Sequence, residues 1–181
     1  NIFASCLLMP RPDFEAQIGS SPIDLDVLGA CSNRYGVSLT AAILKWLEFT
    51  STRAVLVMSR NGRVQWARGS ESGKWISIAL NKKRSDGQRT RLPSRCATVL
   101  QTDSNVDRQG TELDARVWFP SEPSGMTLRE MRVVSDQYRQ TMTLLVLPAE
   151  IKPWERDQTQ EEDGLEDTYN RFIRKGQFPV P

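Results

Sequence analysis

The spacing of apolar residues changes from a helical pattern to a strand pattern at Arg53, and this change constrains the fold more than any other feature. Between residues 23 and 50, apolar residues recur at intervals of three and four, as they do on the buried face of a helix. After Arg53 they form short runs and alternations, and Asn61-Gly62 joins two of these runs as a strong hairpin signal. We therefore predict an α+β fold, in which a small helical unit precedes a mainly antiparallel sheet.

The part of the chain before the sheet carries three predicted helices. The first covers Ile2 to Met9, where apolar residues have helical spacing. Asp24 is positioned to cap a second helix that runs to about Arg34. Ser38 is positioned to cap a third helix, Leu39 to Phe49, and the last two helices would form a helix-turn-helix-like unit. Their buried stripes would consist of Leu25, Leu28, Cys31, Ala42, Ile43, Trp46 and Leu47.

Short runs rich in apolar residues predict the strands of the sheet. The run Met142 to Leu147 is nearly continuous, which is typical of a central strand that is buried on both faces. The predicted strands are Arg53–Ser59, Arg63–Arg68, Trp75–Leu80, Cys96–Leu100, Glu112–Phe119, Leu128–Val134 and Met142–Leu147.

The composition changes again beyond Pro148, where residues 155–167 hold seven acidic residues and one basic residue. A segment with this charge is typical of a solvated tail rather than of a packed domain. Together with the change at Arg53, this predicts four regions of the chain. They are a first segment at residues 1–22, the helical unit at 23–52, the sheet domain at 53–150 and a charged tail at 151–181.

The chain has no His among its 181 residues, which excludes several kinds of site. It offers no His ligand for a metal, no His general base, and no Ser-His or Cys-His pair for nucleophilic catalysis. Its three Cys residues are widely spaced and include no Cys-x-x-Cys pair, so a reduced, cytoplasmic setting is expected. No apolar run approaches the roughly 20 residues that span a bilayer, so we expect no membrane partner.

The balance of charge bears on nucleic acid as a partner. The formal net charge is +2, whereas a protein that grips phosphates is usually much more basic. The third predicted helix could serve as the recognition helix of a helix-turn-helix, but it offers Lys45 as its one cation and offsets it with Glu48. DNA is therefore kept as an alternative partner that the sequence does not favour, and packing against a protein is the other interpretation of this unit.

One stretch concentrates cations and is the candidate binding site of the sequence. It surrounds Asp86-Gly87 and could bind phosphate or an acidic partner, but it lacks the interleaved aromatic residues of single-stranded nucleic-acid sites. The alternative is a mobile, solvated loop, in which each exposed ion pair would contribute little. Its cations are Lys82, Lys83, Arg84, Arg89, Arg91 and Arg95.

Two further features have alternative interpretations. Trp66, Trp75 and Trp118 lie on predicted strands, where they would either surround a small-molecule pocket or fill the core. Cys96 follows Arg95, whose charge would favour a reactive, redox-sensing thiolate; the alternative is a buried, unreactive Cys. Which interpretation holds depends on where the sheet domain places these side chains.

Four motifs occur in an order that resembles the ImmA/IrrE family of zinc metallopeptidases. The first is Asn-x-Phe-Ala-x-x-Leu-Leu-Met-Pro at residues 1–10, and the second is Tyr-Gly-Val-Ser-x-x-Ala at residues 35–41. They are followed by Arg-Ala-Val-Leu-Val-Met-Ser-Arg-Asn-Gly at residues 53–62 and by Met-Thr-Leu-Leu-Val-Leu at residues 142–147. The resemblance implies that residues 1–22 contain the end of a peptidase core, residues 23–52 a helix-turn-helix-like unit, and residues 53–150 a GAF-like domain.

The resemblance also implies where the chemistry lies. The HExxH helix of that family and its third zinc ligand would precede Asn1, so we expect this chain to be part of a longer protein. No catalytic and no metal-binding residue is then carried by this chain, and zinc belongs to the full-length parent. The parent would cleave a DNA-binding helix-turn-helix repressor in a stress response, with this chain docking the substrate or sensing a signal. The alternative is a non-enzymatic regulatory module that binds protein, DNA or a small effector.

Overall fold

The computed structural model describes residues 7–19, 22–82, 87–96, 106–135 and 139–149 of the chain. Helices are followed by an antiparallel sheet, so this is an α+β protein, as predicted. In chain order, its elements are α1 (Arg11–Ile18), α2 (Leu25–Tyr35), α3 (Leu39–Phe49), β1 (Arg53–Arg60), β2 (Arg63–Gly69), α4 (Lys74–Asn81), β3 (Val106–Asp114), a 3-10 turn (Ala115–Val117), β4 (Thr127–Ser135) and β5 (Gln140–Leu147).

The chain divides into two compact units, Asn1–Pro148 and Ala149–Pro181. All of the elements above belong to the first unit. The predicted charged tail, residues 151–181, lies outside the described residues. None of the helices in the described ranges is long and apolar enough to cross a membrane.

The sheet is antiparallel throughout and has the strand order β2-β1-β5-β4-β3. β5 is the central strand, as its apolar run predicts. Its consecutive residues Leu144 and Leu145 point to opposite faces of the sheet, and both are fully buried. The β1–β2 hairpin turns at Asn61 and Gly62, whose φ angles are 50° and 67°. Positive φ at both positions is the geometry of a type I′ turn, so the predicted hairpin is confirmed.

The two predicted helix caps are also confirmed. A carboxylate oxygen of Asp24 accepts hydrogen bonds from the backbone N–H groups of Asp26 and Val27 at the start of α2. The hydroxyl of Ser38 accepts one from the backbone N–H of Ala41 at the start of α3. These bonds satisfy donors that a helix leaves open at its first turn, so both helices begin where the sequence predicts.

The sheet separates two hydrophobic cores. On the face that we call the helix face, α1 to α3 pack against residues such as Leu56, Met131 and Leu144. On the opposite face, which we call the α4 face, α4 and the segment after the 3-10 turn pack against residues such as Leu128 and Leu145. The helices and the sheet thus share a core, and the predicted helical stripes lie in it. The buried stripe residues are Leu25, Leu28, Cys31, Ala42, Ile43, Trp46 and Leu47.

The predicted strand Trp75 to Leu80 is wrong, because this segment forms α4. Ile76 and Leu80 are about one helical turn apart and are both buried in the core of the α4 face. The side-chain amide of Asn81, at the end of α4, bonds both the N–H and the C=O of Ala67 on β2, each at 2.7 Å. These two bonds cover part of the edge of β2, so the helix supplies pairing that a further strand would otherwise provide.

Helix α1 is not predicted by the hydrophobic pattern. It buries one of its own residues, Phe14, and it begins directly after Pro10. The Phe14 ring stacks on Tyr35 of α2, with centroids 5.7 Å apart, and meets Phe49 of α3 edge-on at 5.8 Å. One aromatic side chain therefore fixes a helix that lacks an apolar stripe, and only the tertiary structure provides its partners.

The predicted strand Glu112 to Phe119 is wrong in its second half. β3 ends at Asp114, whose carboxylate accepts a 2.8 Å hydrogen bond from the backbone N–H of Arg116 and so begins the 3-10 turn. Two further predicted elements lie mostly outside the described residues. These are the strand Cys96–Leu100, described at Cys96, and the helix Ile2–Met9, described at its last three residues.

Candidate functional site

The predicted basic patch is partly described, and its described cations all face solvent. Lys82, Arg89, Arg91 and Arg95 are exposed. Lys83 and Arg84, the other two members, lie outside the described residues. The described cations therefore have the solvent access that binding to an acidic partner requires.

The segment that carries Arg89 and Arg91 is attached to the sheet. The backbone N–H of Val64 donates to the carbonyl of Thr90, and the N–H of Leu92 donates to the carbonyl of Gly62, both at 2.9 Å. Arg91 forms an antiparallel bridge with Arg63 at the start of β2. These bonds argue against a wholly mobile loop, because the described part of the patch has a fixed backbone position beside the β1–β2 hairpin.

The patch ends at a cleft of about 510 Å³, which we call the Arg95–Arg116 cleft. Arg95 lines it from the segment before Cys96, and Arg116 lines it from the 3-10 turn after β3. The sequence did not indicate Arg116, because nothing local connects it with the basic patch. The cleft is lined by Pro93, Ser94, Arg95, Asp114, Arg116, Val117 and Pro120.

Buried hydrogen bonds hold the turn that carries Arg116. The N–H of Ala115 donates to the carbonyl of Met126 at 2.8 Å, which ties the turn to the segment before β4. The indole N–H of Trp118 donates to the carboxylate of Glu130 at 2.8 Å, and both side chains are buried on the α4 face. Because these partners are distant in the chain, the position of Arg116 depends on the folded sheet rather than on local sequence.

The two arginines of the cleft are available for a ligand. Within the described part of the chain, neither Arg95 nor Arg116 forms an ion pair. Asp114 brings one negative charge to the cleft, and its carboxylate accepts the backbone N–H of Arg116. Guanidinium groups recognise carboxylates and phosphates through paired N–H donors, so the cleft is suited to an anionic group of a partner.

Comparisons with known proteins do not identify the chain. No family model matches it, and no curated protein gives a significant match. The resemblance to the ImmA/IrrE family therefore stays a prediction, and the geometry of the Arg95–Arg116 cleft is the basis for a functional proposal. Among the described residues, no three or more His, Cys, Asp or Glu side chains are grouped so that they could hold a metal ion.

The three Trp residues do not surround one pocket. Trp66 lies opposite Met58 on the helix face of β2 and is 38% exposed. Trp75 is on α4 and is 80% exposed, whereas Trp118 is buried in the core of the α4 face. The alternative that they fill the core holds for Trp118 alone, so these residues do not define a ligand site.

Two other candidate residues, Cys96 and Lys45, have structural roles. Cys96 is fully buried although its neighbour Arg95 is exposed, which fits the interpretation of a structural Cys. Lys45, the cation of the proposed DNA-reading helix, is 5% exposed and lies 3.2 Å from the carboxylate of Glu48. A buried, paired Lys cannot contact phosphates, so the structure gives α3 no cation for DNA.

Proposed function

We propose that this chain is the non-catalytic C-terminal part of an ImmA/IrrE-type zinc endopeptidase in the cytoplasm. The full-length parent would cleave a DNA-binding repressor in a stress response, and this chain would dock that substrate. The motif order supports the proposal, and so does the sequence of a helical unit followed by a single antiparallel sheet, the arrangement expected for a helix-turn-helix-like unit and a GAF-like domain. Because the chain contains no His, HExxH chemistry has to come from the rest of the parent.

The Arg95–Arg116 cleft is the observation that carries the docking role. Among the described residues, it combines two exposed guanidinium groups, which form no ion pair, with the exposed cations Lys82, Arg89 and Arg91. A surface of this kind attracts an acidic segment from solution and fixes its register by bidentate contacts. We therefore propose that the substrate carries an acidic segment that docks in this cleft.

The docking role is tested by the affinity of the chain for a fluorescein-labelled poly-Glu peptide, measured by fluorescence anisotropy. The double variant Arg95→Gln/Arg116→Gln should bind it about tenfold more weakly, because it removes both guanidinium groups. Arg68→Gln is the matched control, since Arg68 is exposed on β2 and does not line the cleft. Equal losses in the double variant and the control would refute a role for the cleft.

The metallopeptidase assignment is tested separately, by elemental analysis of the native full-length product. About one zinc per molecule of the parent, together with cleavage of a repressor, would support it. Absence of zinc from the parent would favour the alternative, a non-enzymatic regulatory module. That second candidate is favoured by a cleft between the helices and the sheet, whose partly apolar walls are suited to a small effector.

A further inference from the structure

We propose that the cleft between the helices and the sheet binds a small organic acid, an apolar molecule with one carboxylate group. The cleft, which we call the Arg129 cleft, has a volume of about 490 Å³. Pockets for small molecules usually measure about 300 to 1,000 Å³, so its size suits a compact ligand. This site is separate from the Arg95–Arg116 cleft and does not depend on the proposed docking role.

The walls of the cleft combine apolar and polar groups. Ile18 comes from the end of α1, Trp46 and Phe49 from α3, and Val146 from β5. Thr50 to Thr52, in the loop between α3 and β1, add polar groups at one side. An aromatic or branched apolar body would therefore gain contacts with these walls, and polar atoms of the loop would remain for its carboxylate end.

Arg129 of β4 supplies the cation of the cleft. Its guanidinium donates one hydrogen bond to the backbone carbonyl of Ile23. Its stem passes over Gly110 of β3, where an added Cβ would lie 2.7 Å from Cγ of Arg129. The side chain is thus held from two sides, and its remaining N–H donors have no hydrogen-bond partner among the described residues.

Among the described residues, none of the carboxylates near Arg129 forms an ion pair with it. Glu15 also lines the cleft, but it pairs with Arg11 at 2.7 Å. Glu112 is the cross-strand neighbour of Arg129 on β3, yet within the described residues it forms no ion pair. A half-buried guanidinium among apolar side chains is stabilised most by an anion that is itself partly desolvated, and an organic acid in the cleft meets that requirement.

The test uses a matched pair of probes, 2-naphthoate and its neutral analogue 2-naphthamide, titrated into the chain and followed by NMR. Naphthoate should shift the indole resonance of Trp46 and the amide resonances of Thr50 to Thr52. It should bind more tightly than naphthamide, and Arg129→Gln should weaken naphthoate about tenfold while leaving naphthamide nearly unchanged. Ser51→Trp, which places a large side chain at the rim, should weaken both probes.

Arg68→Gln is the control for a general loss of positive charge, because Arg68 is exposed on β2 and lines neither cleft, and it should bind naphthoate like the wild type. Equal affinity of naphthoate for the wild type and Arg129→Gln would overturn the proposal. So would shifts confined to the exposed Trp75 indole, since they would place the probe on the surface of α4. If Arg129→Gln does not fold, Arg129→Lys and Ser51→Trp take its place in testing whether naphthoate binds in the Arg129 cleft. Unchanged naphthoate binding by Ser51→Trp also counts against the site.

Discussion

The two arginine clefts lie on opposite faces of one sheet and differ in how their cations are held. In the Arg95–Arg116 cleft, two exposed side chains come from separate segments, and buried polar groups on the α4 face anchor the turn that carries Arg116. In the Arg129 cleft, a single half-buried side chain lies between partly apolar walls on the helix face. In the two proposals, Arg therefore acts in two ways: as an exposed charge that would attract an acidic partner from water, and as a fixed donor that would orient one small anion.

The largest expected effect concerns a buried ion pair on the α4 face of the sheet. Arg53 and Glu122 form a two-bond ion pair, and their side chains are 7% and 9% exposed. Glu122→Ala should lower the free energy of unfolding by about 3 to 5 kcal/mol, because it leaves a buried guanidinium without its carboxylate. Urea denaturation measures this loss, and Glu71→Ala, at an exposed pair, is the control.

The double variant Arg53→Met/Glu122→Leu sharpens that measurement. Replacing both partners by apolar side chains should recover much of the lost stability, because no unpaired charge is then buried. A Glu122→Ala variant as stable as Glu71→Ala would show that the α4 face does not depend on this pair.

The next effect separates the two clefts. Trp118→Phe removes the indole N–H that bonds Glu130, and it should lower the free energy of unfolding by about 1 to 3 kcal/mol. Because that bond anchors the turn carrying Arg116, affinity for the poly-Glu peptide should fall as well. Binding of 2-naphthoate at Arg129 should stay unchanged, and equal losses at both clefts would contradict their independence.

The salt concentration should affect ligand affinity differently at the two clefts. Raising NaCl from about 0.1 M to about 1 M shortens the Debye length from about 10 Å to about 3 Å. Peptide binding at the exposed Arg95 and Arg116 should weaken several-fold, whereas naphthoate binding at the half-buried Arg129 should change by less than about twofold. Parallel titrations of the two ligands measure the difference, and the same salt response at both clefts would refute the contrast.

The sequence predicts the features that depend on neighbours in the chain. Asp24 and Ser38 cap helices through backbone groups two or three residues away, and Asn61-Gly62 turns the hairpin by its own φ angles. The basic patch was visible for the same reason, since its cations are close in sequence.

The features that sequence reasoning missed depend on distant partners. The run from Trp75 to Leu80 fits either a strand or a helix, and bonds between Asn81 and Ala67 favour the helix. Arg116 and Arg129 enter their clefts because the sheet brings separate segments together. No local sequence pattern indicates that distant segments come together in the fold. The sequence therefore indicates Arg95, in the basic stretch, but not Arg116 or Arg129.

The smallest expected effect is a dependence of stability on pH at the junction of α1 and α2, which supports the wall of the Arg129 cleft. The pKa of Asp13 is held below its ordinary value of 3.8, first by a hydrogen bond from Tyr35 and then by Arg34. Since the folded state has the lower pKa, this contribution is present above pH 3.8 and is lost as the pH falls through the folded value. Wild type should therefore be slightly more stable than Asp13→Asn near neutral pH, and the two should converge in acid. Urea denaturation across this range tests it, with Glu71→Gln as the exposed control, and a difference that persists at low pH would show that Asp13 acts through packing and not through its charge.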